Sequence, residues 1–435
     1  MVGDGGRKGS SSLLLESSSS SSSSAAGSAS SIQTIGNIIV SIVGTGVLGL
    51  PFAFKVAGWL AGAVGVVVTG VATYYCMLIL VQCRDKLASQ EESADVKTYG
   101  DLGSKCMGKA GRYLTEFLIT ISQCGGAVAY LVFIGQNLSS IFEGHGFAFA
   151  SFIFLLVPLQ IALSWINTLS ALAPFSIFAD VCNVVAMGFV VKEDIQQALG
   201  GQFSFGDRKA ISPDIWGLPF AGGMAVFCFE GFGMTLALEA SMKERRTFRK
   251  VLAQAFSGII LVYVMFGFFG YMAYGDETAD IVTLNLPRAW TTVAVQIGLC
   301  SGLAFTFPIM LHPINEILED KVKSTECFQK LLGDELSGSE RKMGKCVVYA
   351  LRSAVVLGLG ALASCVPGFG VFASLVGSTV CALLSFVLPA SFHLLLLGPS
   401  LRLWQKALDV CILICGLLFA VYGYLQHCGR SMKTC

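Results

Sequence analysis

The chain has 435 residues, of which 54% are hydrophobic and only 13% charged, with 31 Phe, 49 Gly and a formal net charge of +1. Its mean hydropathy is +0.70. No water-soluble domain is built this way, a near-neutral charge leaves no footprint for nucleic acid, and what remains is a chain that crosses a lipid bilayer many times.

Met1 to Ser31 is a polar leader holding eight consecutive serines, Ser17 to Ser24, with too little apolar surface to fold and no hydrophobic stretch of the kind a cleaved signal needs. Residues 1–31 are expected to be a disordered cytosolic tail, with serine phosphorylation as the competing reading. Eleven apolar runs follow, each of about 20 residues, enough to cross ~30 Å of hydrocarbon. They are Ile32–Val56, Trp59–Cys83, Tyr113–Gln136, Phe149–Asn167, Pro174–Val191, Asp214–Ala240, Val251–Tyr274, Ala289–His312, Cys346–Cys365, Phe369–Phe392 and Ala407–Leu425.

The first and sixth runs are interrupted at matching places, by Gly44-Thr45-Gly46 and by Gly231-Phe232-Gly233. Hydrocarbon tolerates unpaired backbone groups only where protein or a water-filled cavity surrounds them, so a break repeated in both halves predicts two broken helices around a solute site near the midplane. Tight crossing through small residues is the plainer reading; it suits Gly62 or Gly65 better than two aligned breaks. The division that follows is 32–191 (spans one to five), an outer loop 192–213, 214–392 (spans six to ten) and 393–435 (the last span and a tail).

With a cytosolic N-terminus, loops on that side hold 21 of the 29 Lys and Arg and the opposite loops hold 6, while Lys55 and Arg352 fall inside spans. This bias predicts that orientation, and an odd span number puts the C-terminus outside or in a lumen. The first span then runs outward, and its second half starts near Val47. The amides of Thr45, Gly46 and Val47 form a positive helix end suited to a carboxylate, with Gly44 and Gly46 allowing close approach. The sixth span's first half ends near Phe229, where free carbonyls suit an ammonium. A zwitterion fits between the breaks.

Side-chain selectivity is expected from Ser122, Tyr130, Phe229, Phe232, Phe305 and Thr306, although aromatics on membrane helices are as often core or lipid-facing. Glu230, next to Gly231 at the second break, is the candidate proton carrier, since intramembrane ionisable groups are functional by default. The alternative is a permanently charged brace for the unwound backbone. Sodium competes as coupling ion through first-break carbonyls and the hydroxyls of Ser301 or Thr306, yet such hydroxyls more often bond their own backbone. Glu116, Asp180 and Arg352 lie at similar depth and are gate candidates; local pairing or snorkelling is the plainer account. Glu239 is expected to pair with Lys243, Arg245 or Arg246, and Lys55 to reach the opposite interface.

Most of the fifteen cysteines lie in apolar spans, as Cys76, Cys124, Cys228, Cys300, Cys381 and Cys411 do, where they act as small hydrophobes. Pairing of Cys428 with Cys435 is left open. No zinc spacing, Gly-rich phosphate loop, HExxH or GxSxG occurs, and His145, His312, His393 and His427 are scattered, so no metal, cofactor or catalytic residue is expected. Asn137-Leu-Ser139 is a glycosylation sequon abutting the third span.

The string from Asn37 through Gly44-Thr45-Gly46-Val47-Leu48-Gly49-Leu50-Pro51 to Trp59, together with Ala173–Asp180, Phe227–Met234 and Gly377–Pro389, resembles the amino acid/auxin permease family. The likeness runs from Ile32 to the C-terminus and is greatest to a plant branch for aromatic and neutral amino acids, related to vacuolar exporters and animal proton-coupled transporters. It implies an all-α polytopic membrane protein of eleven transmembrane helices, with a leucine-transporter-like five-plus-five inverted repeat. It further implies a secondary transporter of neutral and aromatic amino acids driven by a proton gradient, with auxin as a further solute, in the vacuolar membrane first and the plasma membrane next. Its partners would be a small amino acid and the bilayer. Proton-coupled relatives carry a histidine where this chain has Asn37, which cannot titrate, so another group must carry the proton or transport is facilitated. An amino acid sensor without transport, a sodium-coupled carrier and, last, a channel are the alternatives.

Overall fold

The computed structural model describes residues 29–90, 96, 98–143, 148–166, 169–201, 206–214, 217–323 and 338–434. The first helix, α1 (Ser31–Ile42), starts under a capping box: the Ser30 side chain accepts from the Gln33 amide while the Gln33 side chain accepts from the Ser30 amide. A short 3-10 turn, Thr45–Gly49, leads into α2 (Leu50–Ala57), where Pro51 sits in the first turn and its missing N–H costs nothing. The axis bends by 50° between α1 and the segment Thr45–Ala57. Gly58, with φ at 93°, ends α2; any Cβ there would lie 2.6 Å from the Ala210 carbonyl oxygen.

There follow α3 (Trp59–Gln90), α4 (Tyr99–Ile141), α5 (Phe149–Ser164) and α6 (Leu169–Leu199). Helix α4 is kinked at Met107 and Gly108, which leave helical geometry. The second half opens with α7 (Gly217–Cys228) and α8 (Phe232–Ser241), then α9 (Phe248–Tyr274), α10 (Trp290–Lys323) and α11 (Gly338–Cys365). Helix α12 (Phe369–Val376) continues through π-helical turns Gly377–Cys381 and Leu383–Val387 into α13 (Leu388–Leu397), and α14 (Leu403–Thr434) closes the chain.

Among the described residues nine helices are long and apolar enough to cross a membrane, ten when the bent first pair is one span. Against the expected eleven, α5 is apolar but spans only 16 residues. Helix α10 packs on α6 and α4, α3 on α9, α11 on α5, and α7 is held between α2 and α12. The interior is aromatic, with Phe54, Phe133, Phe229, Phe256, Tyr263, Phe307 and Phe369 fully buried, whereas Val64, Val67, Val68 and Val71 of α3 and Leu417, Leu418 and Val421 of α14 face outward. Apolar belts of that size suit lipid rather than water.

Helix ends depart from the apolar pattern because charged residues continue a helix beyond the hydrocarbon. Helix α6 runs through Lys192-Glu193-Asp194 to Leu199, so the loop expected at 192–213 begins after residue 199. His393, expected in a loop, is buried inside α13. The end of the leader is also ordered: the Ala29 amide donates to the Ser241 carbonyl and the Lys243 amide to the Ala29 carbonyl, both at 3.1 Å, tying the start of α1 to the end of α8. Residues 1–28 and the Cys428 and Cys435 side chains lie outside the described set.

Candidate functional site

The two interruptions meet. A Cβ on Gly46 would lie 3.1 Å from Cys228 Sγ and 3.5 Å from Cys228 Cα, and one on Gly231 would lie 3.1 Å from Ile42 Cγ1. Glycine at position 46 is thus what lets the 3-10 turn of the first break touch the last residue of α7. Between them stands Tyr263 of α9, whose hydroxyl lies 3.1 Å from the Ile42 carbonyl and 3.0 Å from the Cys228 carbonyl. These are the terminal carbonyls of α1 and α7, groups a helix cannot satisfy by itself. Asn183 of α6 donates to the next carbonyl, Val43, at 3.3 Å, and its own buried carbonyl oxygen has no partner.

Thr45, Gly46 and Val47 are buried and Gly44 half-buried, at the exit of α1. Glu230 is half-buried in the three-residue gap between α7 and α8, and no hydrogen bond or ion pair to its carboxylate occurs among the described residues. Gly231 caps α8, with Phe232 fully buried behind it.

Phe229 does not face this junction: it stacks on Phe256 at 6.1 Å and meets Tyr263 at 4.9 Å, inside the packing of α7 on α9. Phe227, two residues earlier and on the other side of α7, takes that place, with Cδ1 3.4 Å from a Cβ on Gly46 and its ring 6.4 Å from Phe369 of α12. Phe369 in turn meets Phe133 of α4 at 5.7 Å, so three aromatics wall one side of the breaks. Ser122 of α4 is buried with its hydroxyl 3.6 Å from Cys381 Sγ, and Tyr130 is half-buried on the same helix. Phe305 stacks on Phe175 of α6 at 4.6 Å. Thr306 donates to the Gly302 carbonyl at 2.9 Å, the bond to its own helix expected of a hydroxyl on a membrane span. Tyr263, Asn183, Phe227 and Phe369 escaped sequence reasoning. Only Tyr263 and Asn183 carried a signal, a polar group deep in an apolar run that must find a partner.

The three gate candidates are not brought together. Glu116 accepts from Arg112 one turn away at 2.7 Å, and Arg352 pairs with Glu319 of α10 at 2.7 Å while donating to the Ser164 carbonyl at 2.8 Å. Asp180, half-buried on α6, joins neither. Glu239 pairs with Arg84 of α3, because Lys243, Arg245 and Arg246 are all exposed beyond the helix end. Lys55 does reach the end of its helix, donating to the Thr278 carbonyl at 3.0 Å. Asn137 is no sugar acceptor in this fold. Its fully buried amide donates to Phe133 and accepts from Thr283 at 2.8 Å.

Beyond Phe369 the same end is sealed. Gln136 accepts from the Phe369 amide and donates to Asp280, both at 3.1 Å, and Asp280 also accepts from the Gly370 amide at 3.3 Å, a carboxylate on the N-terminus of α12. At the opposite end a narrow cleft with room for about one water lies between α1, α8 and α9, lined by residues that include Ser41, Met77, Gly231 and Thr235.

The sequence profile of the family described as transmembrane amino acid transporter protein matches residues 27–428. Amino acid transporter ANT1 of Arabidopsis thaliana is 65% identical over 394 residues, covering 91% of each chain. Amino acid transporter AVT3C of the same plant is 38% identical over 415 residues, covering 91% of this chain and 89% of that one. Among solved structures, MHP1, a nucleobase-cation-symport-1 family transporter in a closed conformation, aligns with a TM-score of 0.53 at 12% identity over 92% of this chain and 91% of its own, a likeness of fold alone.

Proposed function

The chain belongs to the transmembrane amino acid transporter family, the amino acid/auxin permeases, and from that premise we propose that it moves neutral and aromatic amino acids by alternating access around the two breaks. Its relatives are transporters, not enzymes. The observation that carries the reading is the contact of Gly46 with Cys228 under the Tyr263 hydroxyl, where unwound backbone of opposite polarity comes together in an apolar interior. In this reading the amides of Thr45, Gly46 and Val47 take the substrate carboxylate, carbonyls at the end of α7 take its ammonium, and Phe227, Phe369 and Phe133 receive a large neutral side chain. An indole-bearing acid such as auxin fits the same chemistry.

In the same proposal α5 completes an eleven-span chain, spans one to five and six to ten form an inverted repeat, and the N-terminus is cytosolic as the Lys and Arg distribution favours. Transport is proton-linked. Glu230 carries the proton, since a carboxylate without partners at the break is poorly placed to brace it. Sodium is the competing coupling ion. The vacuolar membrane is the favoured residence, and the plasma membrane the next.

The test is radiolabelled phenylalanine flux in proteoliposomes under an imposed pH gradient, with and without sodium. Saturable, gradient-stimulated flux indifferent to sodium is expected, and Glu230→Gln should sharply reduce the pH response. Binding without flux would mean a sensor, and sodium-dependent flux would overturn the coupling ion.

A further inference from the structure

Asp194, in the last two turns of α6, is 2% exposed, and neither of its carboxylate oxygens has a hydrogen-bond partner among the described residues. Its Oδ2 lies 3.9 Å from where a Cβ on Gly270 of α9 would stand, and that same point is 2.6 Å from Pro51 Cγ in the first turn of α2. The carboxyl group therefore occupies the junction of α6, α9 and α2, beside the half-helix that follows the first break. One turn beyond Gly270, the Tyr274 hydroxyl is also buried and unpartnered.

The charged and titratable groups around the junction are engaged elsewhere or turned to solvent. Lys192 pairs with Glu193 at 2.9 Å, Lys55 donates to the Thr278 carbonyl, and Arg208 donates to the Met272 carbonyl at 3.3 Å. The Tyr271 hydroxyl accepts from the Lys209 amide at 3.3 Å, while Asp207, Asp276 and Glu277 are exposed. An ionised carboxylate here would give up hydration with nothing in return, whereas a neutral carboxylic acid loses far less. A metal ion would ask for about six oxygen ligands, but the walls are the Pro51 ring and the Gly270 backbone, and the further side-chain oxygens identified nearby among the described residues are the Tyr274 hydroxyl and the Glu193 carboxylate, the latter paired with Lys192.

We propose that Asp194 is a proton-binding site that is loaded whenever α6, α9 and α2 close on it and emptied when they part and water enters. The proposal rests on the alternating-access reading for its role in transport: closure at this end takes up one proton, separately from whatever Glu230 carries at the breaks. Since Pro51 both touches the junction and opens α2, the proton state of Asp194 and the position of the outer half of the first broken helix are joined mechanically.

Two readouts on the full-length protein test it. In detergent, the closed fold holds a proton that a solvated aspartate gives up, so wild-type stability should fall as pH rises from about 4 to about 7, by up to roughly tenfold in the folded-to-unfolded ratio per pH unit, and level off above that. Asp194→Asn, and Asp194→Ser as a second neutral variant, should flatten that decline. In proteoliposomes the same variants should weaken the pH response of flux without removing it, since Glu230 still carries its own proton, and should lower a slope of up to ~tenfold per unit by at least about twofold. Melting profiles that run parallel to wild type overturn the site. Wild-type flux that ignores pH while the melting profiles still diverge supports the proton site and instead sinks the proton-linked reading of transport.

Discussion

A single hydroxyl holds the two breaks in register. Tyr263 has one proton for two carbonyl acceptors, Ile42 and Cys228; the Ile42 carbonyl also accepts from the Gly44 amide at 2.9 Å, so Cys228 is the helix end left open to another N–H or O–H whenever the hydroxyl turns to Ile42. Removing the hydroxyl leaves both carbonyls buried without it. Tyr263→Phe is therefore expected to destabilise the protein by about 1–3 kcal/mol and to lower uptake efficiency, read as a reduced melting temperature together with a reduced kcat/KM for phenylalanine. At this scale sequence reasoning located the backbone but not its surroundings. Gly44 to Val47 and Gly231 were legible because glycines punctuating an apolar run have few other uses. Phe229 was misplaced relative to Phe227 because two residues on a helix are 200° apart in direction, and no periodicity shows which face a helix hydrophobic on every side presents to a site.

Between elements, buried charge pairs do the joining. Arg84 of α3 meets Glu239 near the end of α8, where the glutamate is 1% exposed, and Arg352 of α11 meets Glu319 of α10 while capping the last carbonyls of α5. Breaking one partner strands a charge. Arg84→Leu is expected to cost about 3–5 kcal/mol, and adding Glu239→Leu should recover most of it, as a double-mutant cycle of thermal melts would reveal. The sequence placed Glu239 among basic residues only a few positions away, but those lie past the helix end in solvent. Its true partner is 155 residues distant. Helix length was legible only approximately, since Lys192 to Leu199 is helical without being apolar, and hydropathy registers the solvent a helix meets rather than where its hydrogen bonds stop.

Across the whole molecule the two ends differ. Asp280, Gln136 and the amides that start α12 seal one, with Phe369 beneath them, while the narrow cleft between α1, α8 and α9, with room for about one water, leaves the other slightly less closed. The bridge between Ala29 and Met242 ties α1 to α8 at the cleft end, so these two half-helices would move as a pair. In a background lacking exposed native cysteines, Ser41→Cys is expected to react with a membrane-impermeant thiol reagent applied from the side of the α1 N-terminus. Phe369→Cys should stay unreactive from the opposite side. Equal reactivity of both would contradict a structure closed more tightly at one end.

The all-helical membrane class and the places where the first and sixth apolar runs stop being helical, Ile42 and Cys228, were determined by the amino-acid sequence alone, because hydrocarbon imposes its demands segment by segment: each run must be apolar, long enough and self-satisfied in its backbone. Which groups stand around the interruptions was decided only by tertiary packing. Tyr263, Phe369, Asp280 and the junction at Asp194 acquire their meaning from helices far away in the chain, brought to a particular rotation and depth, and pairings of that kind leave no local trace.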